Sequence, residues 1–174
     1  MGAHWPICEF VCNTVAMKIG GLDKDGIDVQ FTIDHNHLNI SSPSPKHLRE
    51  RLREARPTEG ERHGTDMAST LERIFNAYLK ENKFKATTVI IFTDAIWEGS
   101  RPIDNIIVKF AHDLAKHTNR LDARHFTIGF IRFGDGTREK LLLKYLDDDL
   151  CRNNDLEYVA FQQYYAPFLL LTVT

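Results

Sequence analysis

Two side chains that could bind a metal ion through oxygen lie at the boundaries of a predicted helix and a predicted strand. Asp94 follows Val89-Ile90-Ile91-Phe92 and Thr93, and Thr65 ends a loop just before a predicted helix. Four consecutive apolar residues are typical of a strand buried on both faces of a parallel sheet. Ligands of such sheets gather at the carboxyl ends of the strands. Because a hydroxyl and a carboxylate are hard ligands suited to Mg²⁺, Thr65 and Asp94 are the candidate metal ligands.

Three other clusters invite a chemical interpretation, but a structural one is favoured for each. His35 and His37 project from one face of an extended segment as a possible two-ligand clip, yet no third ligand is near in sequence. Cys8 and Cys12 lie one helical turn apart and are expected to be packed, reduced thiols rather than a redox pair. The run Asp147-Asp148-Asp149 lacks the alternating spacing and glycine of a calcium loop, which favours a solvated helix end.

Catalytic motifs are not evident. Trp97-Glu98-Gly99-Ser100 is not the Gly-x-Ser-x-Gly elbow of serine hydrolases, and Gly134-Asp135-Gly136 indicates a turn rather than a phosphate-binding loop. No nucleophile and base pair accompanies Asp94 in the sequence. We therefore predict a non-enzymatic protein, with a small doubly wound enzyme that uses Asp94 at the sheet rim as the alternative.

The elements that would position these residues alternate between helices and strands. Helices are predicted at 5–19, 46–55, 66–80, 102–117 and 137–146, and strands at 27–33, 86–93, 126–133 and 156–161. Helical crossovers between strands indicate an α/β fold with a doubly wound, mainly parallel sheet and helices on both faces. The order opens on a helix, whereas this type of fold normally opens on a strand.

Composition is that of one ordinary domain. The 174 residues are 43% hydrophobic, the net charge is −2 and the pI is about 6.4, so no basic block favours nucleic acid. No apolar stretch reaches the ~20 residues of a membrane span, and no secretory leader is evident at the N-terminus. Three cysteines without such a leader suggest reduced thiols and a cytoplasmic location.

Several motifs, in order, carry a resemblance to a known family. The strand Ile90-Ile91-Phe92-Thr93-Asp94, the loop from Pro57 to Thr65 with the helix after it, and Ile128-Gly129-Phe130-Ile131 resemble segments of the von Willebrand factor type A (vWA) domain. So do Leu146–Leu150 and Asp25–Val29, the latter as in many fungal vWA proteins. The resemblance covers about residues 5–158 of a single domain spanning 1–174, with 159–174 as a C-terminal tail.

The resemblance implies a metal-ion-dependent adhesion site and shows where this chain departs from it. In the family, a divalent cation is bound by an Asp-x-Ser-x-Ser loop after the first strand, by a later Thr, and by an Asp after the fourth strand. Thr65 matches the Thr and Asp94 matches the Asp, but no Asp-x-Ser-x-Ser occurs in the chain, and Ala95 replaces the usual glycine. The resemblance therefore implies that the chain is N-terminally truncated, with the central first strand missing and two of five ligands present.

The expected function is a protein-interaction module of the vWA type with an incomplete adhesion site. No cofactor is expected for this chain alone, whereas Mg²⁺ could bind if a first strand were supplied; the partner is an unknown protein, not nucleic acid or a membrane. For Thr65 the structural alternative is a helix N-cap, and for Asp94 a turn-capping residue. A degraded or mispredicted reading frame is a further alternative. Residues 168–174, an apolar tail, could fill the gap left by the missing strand or could simply fray.

Overall fold

A computed structural model describes residues 2–19, 28–32, 45–57, 65–81, 86–99, 101–117, 126–154, 156 and 159–165. The chain divides into two compact units, Met1–Thr65 and Asp66–Thr174. The predicted His35–His37 clip and the apolar tail 168–174 lie outside the described residues. No helix within the described ranges is both long and apolar enough to cross a membrane.

The first unit is built on two helices, α1 (Trp5–Ile19) and α2 (Pro45–Glu54), with a short 3₁₀ turn at Gly2–His4 before α1. Trp5 and the α2 leucines Leu48 and Leu52 form its buried core. The Trp5 indole Nε1 donates a hydrogen bond of 3.1 Å to the carbonyl of Leu52, so the large ring is buried with its polar atom satisfied. In the described part of the predicted strand Ile27–Ile33, only Val29 forms a β-bridge.

The second unit contains four α-helices and three strands in its described residues. In chain order they are α3 (Met67–Glu81), β1 (Thr87–Thr93), α4 (Ile103–His117), β2 (Phe126–Arg132), α5 (Thr137–Lys144), α6 (Leu150–Asn154) and β3 (Val159–Tyr165). A π-helical segment, Tyr145–Asp149, joins α5 to α6 without a break. β1 pairs in parallel with β2, and β2 in parallel with β3, as predicted for a parallel α/β sheet.

One face of this sheet carries the main hydrophobic core. Because paired residues of parallel strands share a face, Ile91 lies beside Phe130, and both are buried. Helices α3 and α4 cover this face with an aromatic cluster in which the rings of Phe75 and Phe110 stack at 4.0 Å and Phe126 meets both edge-on. The same core includes leucines of α5, the π-helical segment and α6, namely Leu143, Leu146 and Leu150.

The fold is thus mixed α/β with a parallel sheet, and the double winding predicted from the sequence stays a prediction. The order of the described strands is β1-β2-β3, without the reversal that defines double winding. When parallel strands follow one another across a sheet in one direction, right-handed connections place all the connecting helices on the same face of the sheet. This agrees with α4, α5 and α6 all contributing to one core. On the opposite face Ile131 is buried, with 3% exposure, whereas Ile90 and Phe92 are half-buried.

Candidate functional site

The candidate site lies at the carboxyl end of β1, where the strand turns into the segment leading to α4. Thr93 is aligned with Arg132 at the end of the β1–β2 pair, and the backbone N–H of Phe133 donates a hydrogen bond of 2.9 Å to the Thr93 carbonyl. The two parallel strands therefore end together at one rim. This is the part of an α/β sheet where ligands are generally bound.

The Thr93 hydroxyl holds the turn that follows the strand. Thr93 is buried, with 4% exposure, and its Oγ1 accepts hydrogen bonds from the backbone N–H of Ala95 (2.8 Å) and from the indole Nε1 of Trp97 (2.9 Å). The Trp97 ring lies 6.2 Å from that of Phe130 in the core. One buried hydroxyl thus fixes both the backbone of the turn and its aromatic side chain.

Asp94 and Ala95 form the turn itself. The Asp94 Oδ1 accepts a hydrogen bond of 3.2 Å from the backbone N–H of Ile96, a local Asx-type interaction. This is the turn-capping role that the sequence offered as the structural alternative for Asp94. Ala95 takes a positive φ of 58°, in the left-handed region that favours glycine. The position where the vWA signature has glycine therefore has a backbone suited to glycine, although alanine stands there.

The other predicted ligand, Thr65, is the last residue of the first unit and is half-buried. Asp94 belongs to the second unit, and the proposed pairing of these two residues stays a prediction. The alternative role suggested for Thr65, the N-cap of the following helix, belongs instead to Asp66. The backbone N–H of Ser69 donates to the Asp66 Oδ1 at 2.9 Å, the geometry of an N-cap satisfying the third residue of a helix.

A network of polar side chains extends from this N-cap to Arg101, which lies between β1 and α4. The Ser69 hydroxyl donates to Asp66, and Arg101 donates to the Ser69 hydroxyl and to the Glu72 carboxylate, each at 2.6 Å. The hydrogen bonds from Ser69, followed by the charge of Arg101, hold the pKa of Asp66 below its usual value, while Glu72 raises the pKa of Arg101. Arg101 and Glu72 are both exposed to solvent, which screens their ion pair, so the pair adds little to stability. The network ties the segment between β1 and α4 to the start of α3.

The donor set fits a complete Mg²⁺ site poorly. Mg²⁺ requires nearly octahedral oxygen ligation, and the two candidate ligands, Thr65 and Asp94, are too few to supply it. Among the described residues, no group of three or more histidine, cysteine, aspartate or glutamate side chains is arranged to hold a metal ion.

The structure also describes the cysteines and the aspartate run that the sequence singled out, whereas His35 and His37 lie outside the described residues. Cys8 is buried on α1 and Cys12 half-buried, and both are free thiols; burial raises the pKa of Cys8 to about 12 and that of Cys12 to about 11. Asp147 and its two neighbours were expected at a solvated helix end. This was wrong, because they lie within the π-helical segment in the middle of a continuous helix. Asp149 approaches Arg152 at 3.9 Å in an exposed ion pair.

Sequence reasoning missed the residues that organise the rim. Thr93 was treated as part of a motif, and Trp97 only as part of a failed hydrolase signature, although together they shape the turn around Asp94. A threonine at the end of an apolar strand, followed four residues later by a tryptophan, was the available signal. A comparison with known proteins finds no match to a protein family, to a curated protein or to a solved structure.

Proposed function

We propose that this chain is a non-enzymatic protein-interaction module of the vWA type, with an incomplete metal-ion-dependent adhesion site at the carboxyl end of β1. The proposal includes the doubly wound arrangement of that family. It is supported by the ordered vWA-like motifs of the sequence and by Asp94 lying where a parallel strand ends. The single observation that carries it is the Asp94–Ala95 turn, in which Ala95 takes the glycine-like φ of 58° directly after the motif aspartate.

The surroundings of Asp94 favour binding over catalysis. Ile96 exposes 62% of its surface, and Glu98 and Arg101, two and five residues further along the chain, are also exposed. An exposed aliphatic side chain on a segment that also carries exposed charged residues is suited to the surface of another protein, where an apolar anchor is surrounded by a polar rim. An enzyme using Asp94 would instead hold it in a closed pocket beside a histidine or lysine. The hollows along α3 and α2 are lined by residues of a single helix each, and neither includes Asp94.

In this proposal a divalent cation would be shared between the module and an acidic residue of its partner. Thr65 and Asp94 supply too little of the coordination shell for the chain to retain the cation alone. When bound, a cation would attract a carboxylate of the partner, and the exposed Ile96, two residues after Asp94, would supply an apolar contact. Capture of a partner through the metal would accordingly be weak in this chain.

Calorimetric titration of Mg²⁺, and separately of Mn²⁺, into the purified chain tests the metal-binding part of the proposal. We expect no site tighter than about millimolar, at the weak end for oxygen-ligand sites. Thr65→Ala and Asp94→Ala should leave the titration unchanged, as should the control Thr88→Ala, which alters an exposed threonine of β1. A micromolar site abolished by both ligand substitutions and retained in the control would show that the adhesion site is complete, contrary to the proposal.

A further inference from the structure

Helix α2 carries a basic stripe on its exposed surface, which we define as Lys46, Arg49 and Arg53. All three side chains are exposed. At 100° per residue they fall within an arc of about 60°, and Lys46 and Arg53 are separated by roughly 10 Å along the helix axis. With Glu50 they line a shallow hollow on the helix surface. The three cations therefore form one continuous surface feature.

This stripe contrasts with the charge of the whole protein. Four basic and two acidic residues give α2 a net charge of +2, whereas the whole chain has a net charge of −2. The first turn of α2 contains no acidic residue, so the positive end of the helix dipole adds to the charge of Lys46 instead of being neutralised. The local potential is consequently positive on a protein that is acidic overall.

The arrangement opposes the stability of the helix that carries it. Arg49 and Arg53 are four residues apart and Lys46 and Arg49 three apart, spacings at which like charges repel. Within the described part of the chain, Arg53 has only a long contact of 3.8 Å to Glu9, and Lys46 and Arg49 form no ion pair. The ten-residue helix is maintained by the burial of Leu48 and Leu52 against α1.

We propose that the basic stripe of α2 is a docking surface for an acidic peptide segment of a protein partner, separate from the rim at Asp94. Carboxylates spaced along about 10 Å of such a segment would relieve the repulsion among the three cations. Because exposed ion pairs are individually weak, the surface acts by steering and orienting the partner, and its contribution depends strongly on ionic strength.

Two other kinds of anionic partner fit this surface less well. A membrane-bound amphipathic helix inserts apolar side chains between lipids, but the apolar side chains of α2, Leu48 and Leu52, are buried within the protein. Nucleic acid presents a uniform row of phosphates, and Glu50, beside the stripe and also exposed, would repel it. A peptide can place a basic or neutral residue opposite Glu50, which a phosphate backbone cannot do.

The test compares two charge reversals on the same helix. Arg49→Glu removes the centre of the stripe, whereas Arg51→Glu makes the same change in net charge on another face, where Arg51 pairs with Glu54 at 2.8 Å. Binding of a fluorescein-labelled octaglutamate peptide is followed by anisotropy at low and at physiological salt. Circular dichroism identifies variants that retain the helix content of the wild type.

We expect binding to the wild type at low salt that weakens about fivefold or more at physiological salt. Arg49→Glu should weaken it by roughly five- to twentyfold, and Arg51→Glu by no more than about twofold. Equal losses in the two variants would show that only net charge matters and would overturn the proposal. Tighter binding of phosphatidylserine vesicles, or of single-stranded DNA with the same charge as octaglutamate, than of octaglutamate itself would also overturn the proposal. If Arg49→Glu loses helix content, Arg49→Gln compared with Arg51→Gln makes the same test with a smaller expected difference.

Discussion

Replacing Thr93 by valine removes one hydroxyl from the rim and leaves the shape of the side chain almost unchanged. In the structure this hydroxyl accepts hydrogen bonds from the Ala95 N–H and the Trp97 indole. Valine cannot accept either bond, so both donors lose their partner. The experiment therefore measures how far the turn around Asp94 depends on one buried oxygen.

The magnitude follows from the burial of the two donors. Ala95 exposes only 5% of its surface, so its N–H cannot easily find water, and an unsatisfied buried donor costs roughly 1–3 kcal/mol. The indole of Trp97 is half-buried and can regain water, so we assign it about 1 kcal/mol. The free energy of unfolding should therefore fall by about 2–4 kcal/mol, which for a chain of this length lowers Tm by roughly 5–12 °C.

Urea unfolding followed by far-UV circular dichroism gives the stability, and hydrogen exchange of the Trp97 indole proton reports the bond directly. The control is Thr88→Val, the same substitution at an exposed position of the same strand, which should change stability by less than about 0.5 kcal/mol. Indole exchange should accelerate only in Thr93→Val. A Thr93→Val protein as stable as the control, with unchanged indole exchange, would refute the role given to this hydroxyl.

Three further predictions concern single residues of the two units. Ala95→Gly should change the free energy of unfolding by less than about 0.5 kcal/mol, because relief of the positive φ offsets the lost methyl group. The control Ala68→Gly, at a buried helical position, should lower it by about 1.5 kcal/mol, as measured by urea unfolding. Asp66→Ala should lower the free energy of unfolding by about 1 kcal/mol. Because folding lowers the pKa of Asp66, its carboxylate stabilises the protein above the unfolded pKa near 4, and this stabilisation is lost as the pH falls below that value. Asp66→Asn should abolish this part of the pH dependence when stability is measured in an acid titration. Cys8, whose pKa is raised to about 12, should react with iodoacetamide at pH 8 far more slowly in the native chain than in the urea-unfolded chain. The contribution of its buried thiol to stability should be lost as the pH rises above 9. Rapid alkylation of Cys8 in the native chain would contradict its burial.

Local periodicity predicted most of the elements closely. The stripe of apolar residues over 5–19 gave the bounds of α1, and the buried strand predicted at 86–93 is observed as Thr87–Thr93. The final strand was less accurate: it was predicted at 156–161, but β3 extends over Val159–Tyr165 and so includes part of the segment taken as a tail. Its central Gln162 and Gln163 interrupt the apolar pattern on which the prediction depended.

Features that depend on tertiary context were not predictable in the same way. The order β1-β2-β3 depends on which strand edges pair, and alternating helices and strands are equally compatible with a doubly wound sheet. The choice of Asp66 over Thr65 as the N-cap depends on one residue of helix register, and both residue types are good caps. The candidate site was predicted as a location, the end of β1 at Asp94, but not as a set of contacts.

Supplying the ligands that the proposed adhesion site lacks tests the vWA proposal most directly. In the vWA family a strand and an Asp-x-Ser-x-Ser loop precede a helix, and the proposal equates that helix with Trp5–Ile19, so such a segment is appended upstream of His4. We measure Tm of the extended chain with and without Mg²⁺, beside the extended chain carrying Asp94→Ala. The account predicts a higher Tm than that of the original chain and a further rise with Mg²⁺ that Asp94→Ala abolishes. An extended chain that is no more stable and is indifferent to Mg²⁺ would contradict it.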